Sequence, residues 1–290
     1  MIDVVALVTV YNPNRNVVNN LKLLSEQVER VILCDNSVYD NLEMFAEVKN
    51  SVYTTQYENL GLTGAFNSVL KDSVYGWKDD DIIVFFDQDS RIDDGYIEAL
   101  YSEYQRIEKE EKNLGCLGPI FYNTSNGKVE KSRKKKMITS STYSVSNMIT
   151  SSLMTRYKNL KKIGFWNEEL FLDMADWDLC WRMQAAGMDC CMTEKVILRH
   201  SIGEGKKNIG PFELRVGQPL REYYQTRDCI KLLLKMYTPL RYKIRFIAQI
   251  TIRPIVHILF YPNRRERCYY IKQGFLDYQK KLNGEVREKI

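Results

Sequence analysis

Short apolar runs alternate with helix-period stretches through the first hundred residues. Residues 4–10 form a strand-like run, apolar except for Thr9, that ends on the turn signal Thr9-Val10-Tyr11-Asn12-Pro13, and Val17, Val18, Leu21, Leu24 and Val28 then recur at helical spacing. Residues 28–34 are the next strand candidate, ending on Asp35-Asn36-Ser37, and residues 51–57 another, ending at Asn59-Leu60-Gly61. Gly61, Gly64, Ala65 and Asn67 open a predicted helix over 63–71. Residues 82–86, IIVFF, then stop abruptly on Asp87-Gln88-Asp89. Runs that are apolar at every position, without alternation, are buried on both faces, as in parallel sheets covered by helices on either side. The pattern predicts an α/β, doubly wound fold.

Downstream the signal is more mixed. Residues 92–111 read as a helix and 116–121 as a strand, whereas the polar, lysine-rich stretch 123–136 reads as a solvated loop. Residues 148–154 have strand character, and a helix is predicted from near Ala175 with Gly187 as its C-cap. Residues 194–198 form a short strand leading to His200, and a helix runs over 221–236. From Pro239 onward Arg241, Arg245, Gln249, Arg253 and His257 recur every four residues among isoleucines and leucines, a basic amphipathic helix bent or interrupted at Pro254.

Composition adds a few constraints. At 290 residues the chain can bury a substantial core, and a net charge of +5 from 42 basic and 37 acidic side chains matters mainly through the basic C-terminus. The seven cysteines form no CxxC pair and sit mostly among apolar residues, which favours free buried thiols over a disulfide frame or zinc site. The N-terminal stretch lacks the pattern of a signal peptide, and no segment reaches the length of a membrane span. The expected location is the cytoplasm. Basic residues without interleaved stacking aromatics give no support to nucleic-acid binding.

The candidate chemistry lies where strands end. In open α/β sheets ligands bind at the carboxyl ends of the strands, so Asp87 and Asp89 face the expected crevice, and two hard oxygen ligands there suit Mn²⁺ or Mg²⁺ shared with a substrate phosphate. Read alone, Asp-x-Asp also fits a turn or a helix cap, Asp35 also fits a turn, and a lone histidine at a strand end, such as His200, is commonly structural. A second acidic group, Asp173, Asp176 and Asp178, stands at the start of the helix near Ala175, where the macrodipole favours ionised carboxylates.

Taken in order, VTVYNP, CDNS, NLGLTGAFN, FFDQDS, ITSS, LFLDMADWDLCWR with AAG, RHSIGE and REYYQTRD resemble the family 2 glycosyltransferases of GT-A fold, and within them the rhamnosyltransferase group of bacterial polysaccharide assembly. The resemblance implies a metal-dependent, inverting transferase with a nucleotide-sugar donor. It places Asp87, Asp89 and His200 on the metal and makes Asp176 the catalytic base. It also puts Thr9, Tyr11, Asp35, Asn36, Asn59, Gly61, Gly64, Asn67, Asp87, Gln88 and Arg227 around the nucleotide sugar, and Ser151, Ser152, Trp177 and Asp178 on the acceptor side. Arg221, Tyr223 and Tyr224 belong to the same segment as Arg227.

Two departures stand out: Ser151-Ser152 where the family has Ser-Gly, and Ala175 where many relatives carry Glu before the base. The implied organisation is a GT-A unit over 1–236, with a donor half to about residue 122 and an acceptor half beyond it, and a basic helical tail over 237–290. The implied acceptor is a polyprenyl-diphosphate-linked saccharide, with the tail holding the enzyme peripherally on the inner face of the cell membrane or forming a homodimer contact. The implied donor is dTDP-L-rhamnose, with a UDP-hexose or UDP-galactofuranose as alternatives that leave the carboxylate logic unchanged. A haloacid-dehalogenase-type phosphohydrolase also ends a strand on Asp-x-Asp, but its motif continues with Thr or Val where this chain has Arg91. A non-catalytic membrane scaffold is the remaining reading.

Overall fold

The computed structural model describes residues 2–124, 127–200, 206–209, 212–215, 217–282 and 284. The apolar runs become β1 (Ile2–Val10), β2 (Val28–Asp35) and β3 (Ser51–Thr55), with α1 (Asn16–Ser25) between the first two. Next come α2 (Gly61–Leu70), β4 (Ile82–Asp87), α3 (Tyr96–Glu110) and β5 (Leu114–Asn123). The chain continues through β6 (Lys128–Glu130), β7 (Lys134–Met137), β8 (Thr142–Val145), β9 (Leu153–Arg156), α4 (Tyr157–Lys162) and α5 (Ala175–Ala185). It ends with β10 (Asp189–His200), the strands β11 (Lys206–Ile209) and β12 (Phe212–Arg215), and the helices α6 (Arg221–Leu234), α7 (Leu240–Phe260) and α8 (Arg264–Gln279).

One mixed sheet forms the core, in the order β3-β2-β1-β4-β9-β5-β10-β8-β7, with β6 added to β5. The first four of these strands are parallel, and β9 enters antiparallel to both β4 and β5. Alternate residues of β1 and β4 feed opposite faces, as the two-residue period of a strand demands. Val5, Leu7, Ile83 and Phe85 pack into a cluster with α2 and α5. Val4, Ala6, Val8, Ile82, Val84 and Phe86 pack with α1 and α3. Each such side chain, fully withdrawn from water, contributes about 1.5–3 kcal/mol, which commits the unbroken runs to the middle layer.

The second half departs from the expectation in detail. The stretch 123–136 is not a continuous loop, because β6 and the lysine-rich β7 pair at the sheet margin. Lysines on an edge strand keep it from pairing with another chain while still allowing a ladder on the inner side. Of residues 148–154 only the last two are extended, in β9. The helix predicted from Ala175 forms as expected, and Gly187 follows it at φ +80°.

Helices α6, α7 and α8 pack against one another, with Gly274 of α8 so close to α6 that an added Cβ would lie 2.7 Å from the Tyr223 carbonyl oxygen. Tyr242 and Phe246 of α7 join Trp181 of α5 in the core. Pro254 lies inside α7. Among the described residues no helix is long and apolar enough to cross a membrane.

Candidate active site

A cleft of about 580 Å³ opens at the carboxyl ends of β1, β2 and β4. Thr9, Tyr11, Asn36, Asn59, Gly61, Asp87, Gln88 and Asp89 line it, so eight of the sequence-predicted residues share one hollow. A larger hollow of about 750 Å³, lined by charged residues such as Asp80, Glu108 and Lys112, contains none of them.

Backbone connections fix the cleft floor. Thr9 is paired with Cys34 on one side and Asp87 on the other, which brings the ends of three strands level. Gln88 clamps the β1 end, its Oε1 accepting from the Tyr11 N–H at 2.9 Å and its Nε2 donating to the Tyr11 carbonyl at 3.2 Å. The Asn36 amide spans the turn before α2, donating to the Gly61 carbonyl and accepting from the Leu60 N–H. Gly61 adopts φ +70°, and a Cβ there would sit 2.3 Å from the Phe171 carbonyl oxygen, so only glycine lets α2 start against the 170s loop. The Leu62 N–H and the Thr63 hydroxyl complete that junction on the Phe171 and Leu170 carbonyls.

The carboxylates are held from behind. Ser151 Oγ donates to Asp87 Oδ2 at 2.6 Å and accepts from Ser90 Oγ at 2.9 Å. Ser152, at φ 71°, sends its N–H to the Phe85 carbonyl and pairs its hydroxyl with Tyr96. Both serines are buried and brace the end of β4. Asp176 opens α5 after Met174 in the left-handed conformation, and its Oδ1 accepts from the Trp177 N–H at 2.8 Å. Desolvation, with the Cys180 thiol and the Asp87 and Asp173 carboxylates nearby, holds its pKa well above the ordinary carboxylate range, despite that N–H.

Other predicted residues are displaced from the cleft. Asp178 is 0 % exposed and carries Arg182 Nε and the Tyr237 hydroxyl, each at 2.6 Å, so it anchors the core and is not a surface charge. Two residues apart on a helix, Asp176 and Asp178 point about 200° apart, and neither is among the residues that line the cleft. Asn67 ties α2 to the Trp166 backbone and to Glu168. Gly64 lies against Leu60 within α2. Asp35 is buried and accepts from the Ser37 N–H, the Asn41 amide and the Tyr53 hydroxyl. Arg227 is 0 % exposed and bonds Asp228, Tyr223 and the Gly284 carbonyl, between α6 and the C-terminal residues. Trp177 is half-buried against Trp181 and Tyr242, with the Arg245 guanidinium 5.0 Å from its ring centre. The side chain of His200 lies outside the described residues.

The structure adds Phe171, which sequence reasoning missed, to a wall shared with Tyr224 and Arg221. Phe171 and Tyr224 stack at 4.7 Å along the cleft, and Arg221 pairs with Asp173 beside them. The stretch REYYQTRD was the available signal: Arg221 and Tyr224 line the cleft, whereas Arg227, one turn further along α6, is buried behind Tyr224 against Asp228 and Tyr223. The donor set fits a hard divalent cation: Asp87 and Asp89 offer oxygens only, and the mutual repulsion of Asp87 and Asp176 is what a bound cation relieves. Among the described residues the one group of three potential ligands close together is Cys116, Cys180 and Cys190, buried thiols away from this cleft.

A doubly wound sheet whose parallel strand ends carry Asp-x-Asp at a cleft defines a nucleotide-sugar-dependent glycosyltransferase of GT-A fold acting on a saccharide acceptor. The chain belongs to glycosyl transferase family 2, whose model matches residues 5–166. It is 28% identical over 286 residues to the dTDP-rhamnosyl transferase RfbF of Shigella flexneri, covering 94% of this chain and 93% of that protein. Among solved structures it is similar in fold to S. aureus TarS 1-349 (TM-score 0.52, 14% identity, 95% of this chain and 80% of that one). GalNAc-T7 with UDP, GalNAc and Mn2+ shows the same likeness (TM-score 0.53, 10% identity, 89% and 58%). Enzymes of this family typically use a divalent cation.

Proposed function

We propose that the chain is an inverting, metal-dependent transferase that moves L-rhamnose from dTDP-L-rhamnose onto a hydroxyl of a polyprenyl-diphosphate-linked saccharide in cell-surface polysaccharide assembly. The carrying observation is the cleft that gathers Asp87 and Asp89 at the end of β4, with Asp176 electrostatically linked to Asp87 from α5. The similarity to a dTDP-rhamnosyl transferase along nearly the full length of both chains supports the donor.

Asp87 and Asp89 would hold Mn²⁺ or Mg²⁺, which supplies neutralisation of the charge on the departing nucleoside diphosphate. The remaining work falls to the chain itself. Asp176 takes the proton of the acceptor hydroxyl as its oxygen attacks the anomeric carbon, and the bond from that carbon to the diphosphate oxygen breaks on the opposite face. One such displacement inverts the anomeric centre. The stacked Phe171 and Tyr224 wall and the clamped Tyr11 backbone orient the donor and exclude water from the reacting carbon. A polyprenyl-linked acceptor resides at a membrane, so an enzyme acting on it works at that surface.

The test is titration of the purified protein with Mn²⁺ and dTDP, UDP or GDP, beside Asp89→Ala. Metal-dependent binding of dTDP that is lost in the variant is the expected result. Preference for UDP or GDP reassigns the donor, and binding to none of them overturns the reading.

A further inference from the structure

Helix α7 packs Tyr242 and Phe246 into the core, but the rest of its inward side is largely polar. The later part of its polar stripe faces the protein: Gln249 accepts from the Cys229 thiol, and His257, Arg253 and the α8 residue Arg267 converge on Glu222 of α6. Those polar groups satisfy one another, with Glu222 held below the usual carboxylate range because His257, Arg253 and Arg267 outweigh its burial. The apolar stripe faces out. Leu240, Ile244, Ile247, Ile252, Ile255 and Leu259 are all exposed, Ile244 at 62 % and Ile255 at 60 %. Single exposed isoleucines need no explanation, but six on one side of a 21-residue helix form a continuous apolar strip.

The charges beside that strip select its occupant. Residues 240–260 contain no Asp or Glu, and Arg241, Lys243 and Arg245 flank the apolar face, with Arg264 and Arg265 exposed at the following turn. A second copy related by a two-fold axis would set these basic flanks against each other, which disfavours self-association. An anionic lipid surface meets both requirements, apolar contact at the centre and negative charge at the rim. The basic residues within the helix also exclude a spanning orientation, so α7 would lie in the plane of the surface.

We propose that the outward face of α7 is a docking surface for an anionic lipid bilayer. The inference goes beyond the transfer chemistry and stands without it. Joined to that chemistry, it gives the cleft a direction, because Arg245 on the flank of α7 lies over Trp177, the residue next to Asp176.

The experiment is flotation of the full chain with phosphatidylglycerol–phosphatidylcholine vesicles and with phosphatidylcholine vesicles alone. Four proteins are compared: wild type, Ile244→Gln with Ile255→Gln, Arg241→Gln with Lys243→Gln, and Asp89→Ala. Wild type and Asp89→Ala should float with the anionic vesicles, and the isoleucine variant should bind about tenfold or more weakly with an unchanged melting temperature. The charge variant should lose about fivefold per residue and should match wild type in high salt. A wild type that stays down with both vesicle types overturns the proposal, as does an isoleucine variant that floats equally well. Dimerisation of wild type that those isoleucine changes abolish, without vesicle binding, assigns the face to a second copy and also overturns it. Nucleotide binding measured on the same samples reports separately on the transferase reading.

Discussion

The Ser151 hydroxyl donates to Asp87 Oδ2 at 2.6 Å while accepting from Ser90, so a residue just before β9 fixes the rotamer of a carboxylate at the end of β4. Both serines are buried, which protects the relay from competing water. Ser151→Ala should weaken the Mn²⁺ dependence of nucleotide binding by about tenfold or more, because outer partners of metal-binding carboxylates contribute on that scale. Stability should fall by only about 1 kcal/mol. An unchanged Mn²⁺ titration would show that Asp87 needs no such brace.

Asp176→Asn should lower kcat by roughly a thousandfold while leaving donor-nucleotide binding intact, since general-base groups contribute on that order. The wild-type pH profile gives a second check. Burial, together with Cys180, Asp87 and Asp173, raises the pKa of Asp176, so its proton-accepting form is lost as pH falls through a value above the ordinary carboxylate range. The acidic limb of kcat/KM should therefore lie above that range. A limb at about pH 4, where an unperturbed carboxylate titrates, would exclude Asp176 as the titrating base.

Asp178→Ala should act on the fold. The change leaves Arg182 buried without its carboxylate and removes the acceptor for Tyr237, at a cost of about 3 kcal/mol. Urea denaturation should show a lower midpoint with an unchanged slope. A variant as stable as wild type would contradict the anchoring role.

Glu103 links α3 to the far side of the sheet. It is 4 % exposed and receives Arg106, Thr142, Thr193 and Lys195, and these partners outweigh burial to bring its pKa from 4.5 to about 2. A depressed carboxylate pKa stabilises the folded state above the unfolded value, and that stability is lost as pH falls from 4.5 toward 2. After allowance for the solvent-exposed lysine, Glu103→Gln should cost about 2 kcal/mol at neutral pH. Melts of both proteins should converge at the acid end of that window, and a gap that persists there would refute the linkage.

Much of the site was legible because strand ends are legible. An apolar run without alternation has one physical solution, burial on both faces, and the polar residues that stop it must then emerge at an edge of the sheet. Asp87 and Asp89 were located this way, Thr9, Tyr11, Asn36, Asn59 and Gln88 came from the family resemblance, and all line the cleft. Residues on helices were harder. Asn67, Asp178 and Arg227 belong to motifs that also contain cleft residues, but a displacement of two positions turns a side chain by about 200°, and a same-side neighbour one turn further on can still be buried, as Arg227 is behind Tyr224. The short strands β6, β7 and β8 left too few residues for a period to register.

The sequence by itself determined the alternation of strands and helices, the two-faced burial of β1 and β4, and the arrival of paired carboxylates at a strand end, since each follows from local periodicity and the cost of burying charge. Tertiary structure alone decided that Asp178 is buried as an anchor of α5 and that Ser151 braces Asp87. It also decided that β9 enters antiparallel between β4 and β5, and that α7 turns its isoleucines outward. Those outcomes depend on partners distant in the chain. Periodicity divides a helix into two faces, and only the packed neighbours determine which of them is inside.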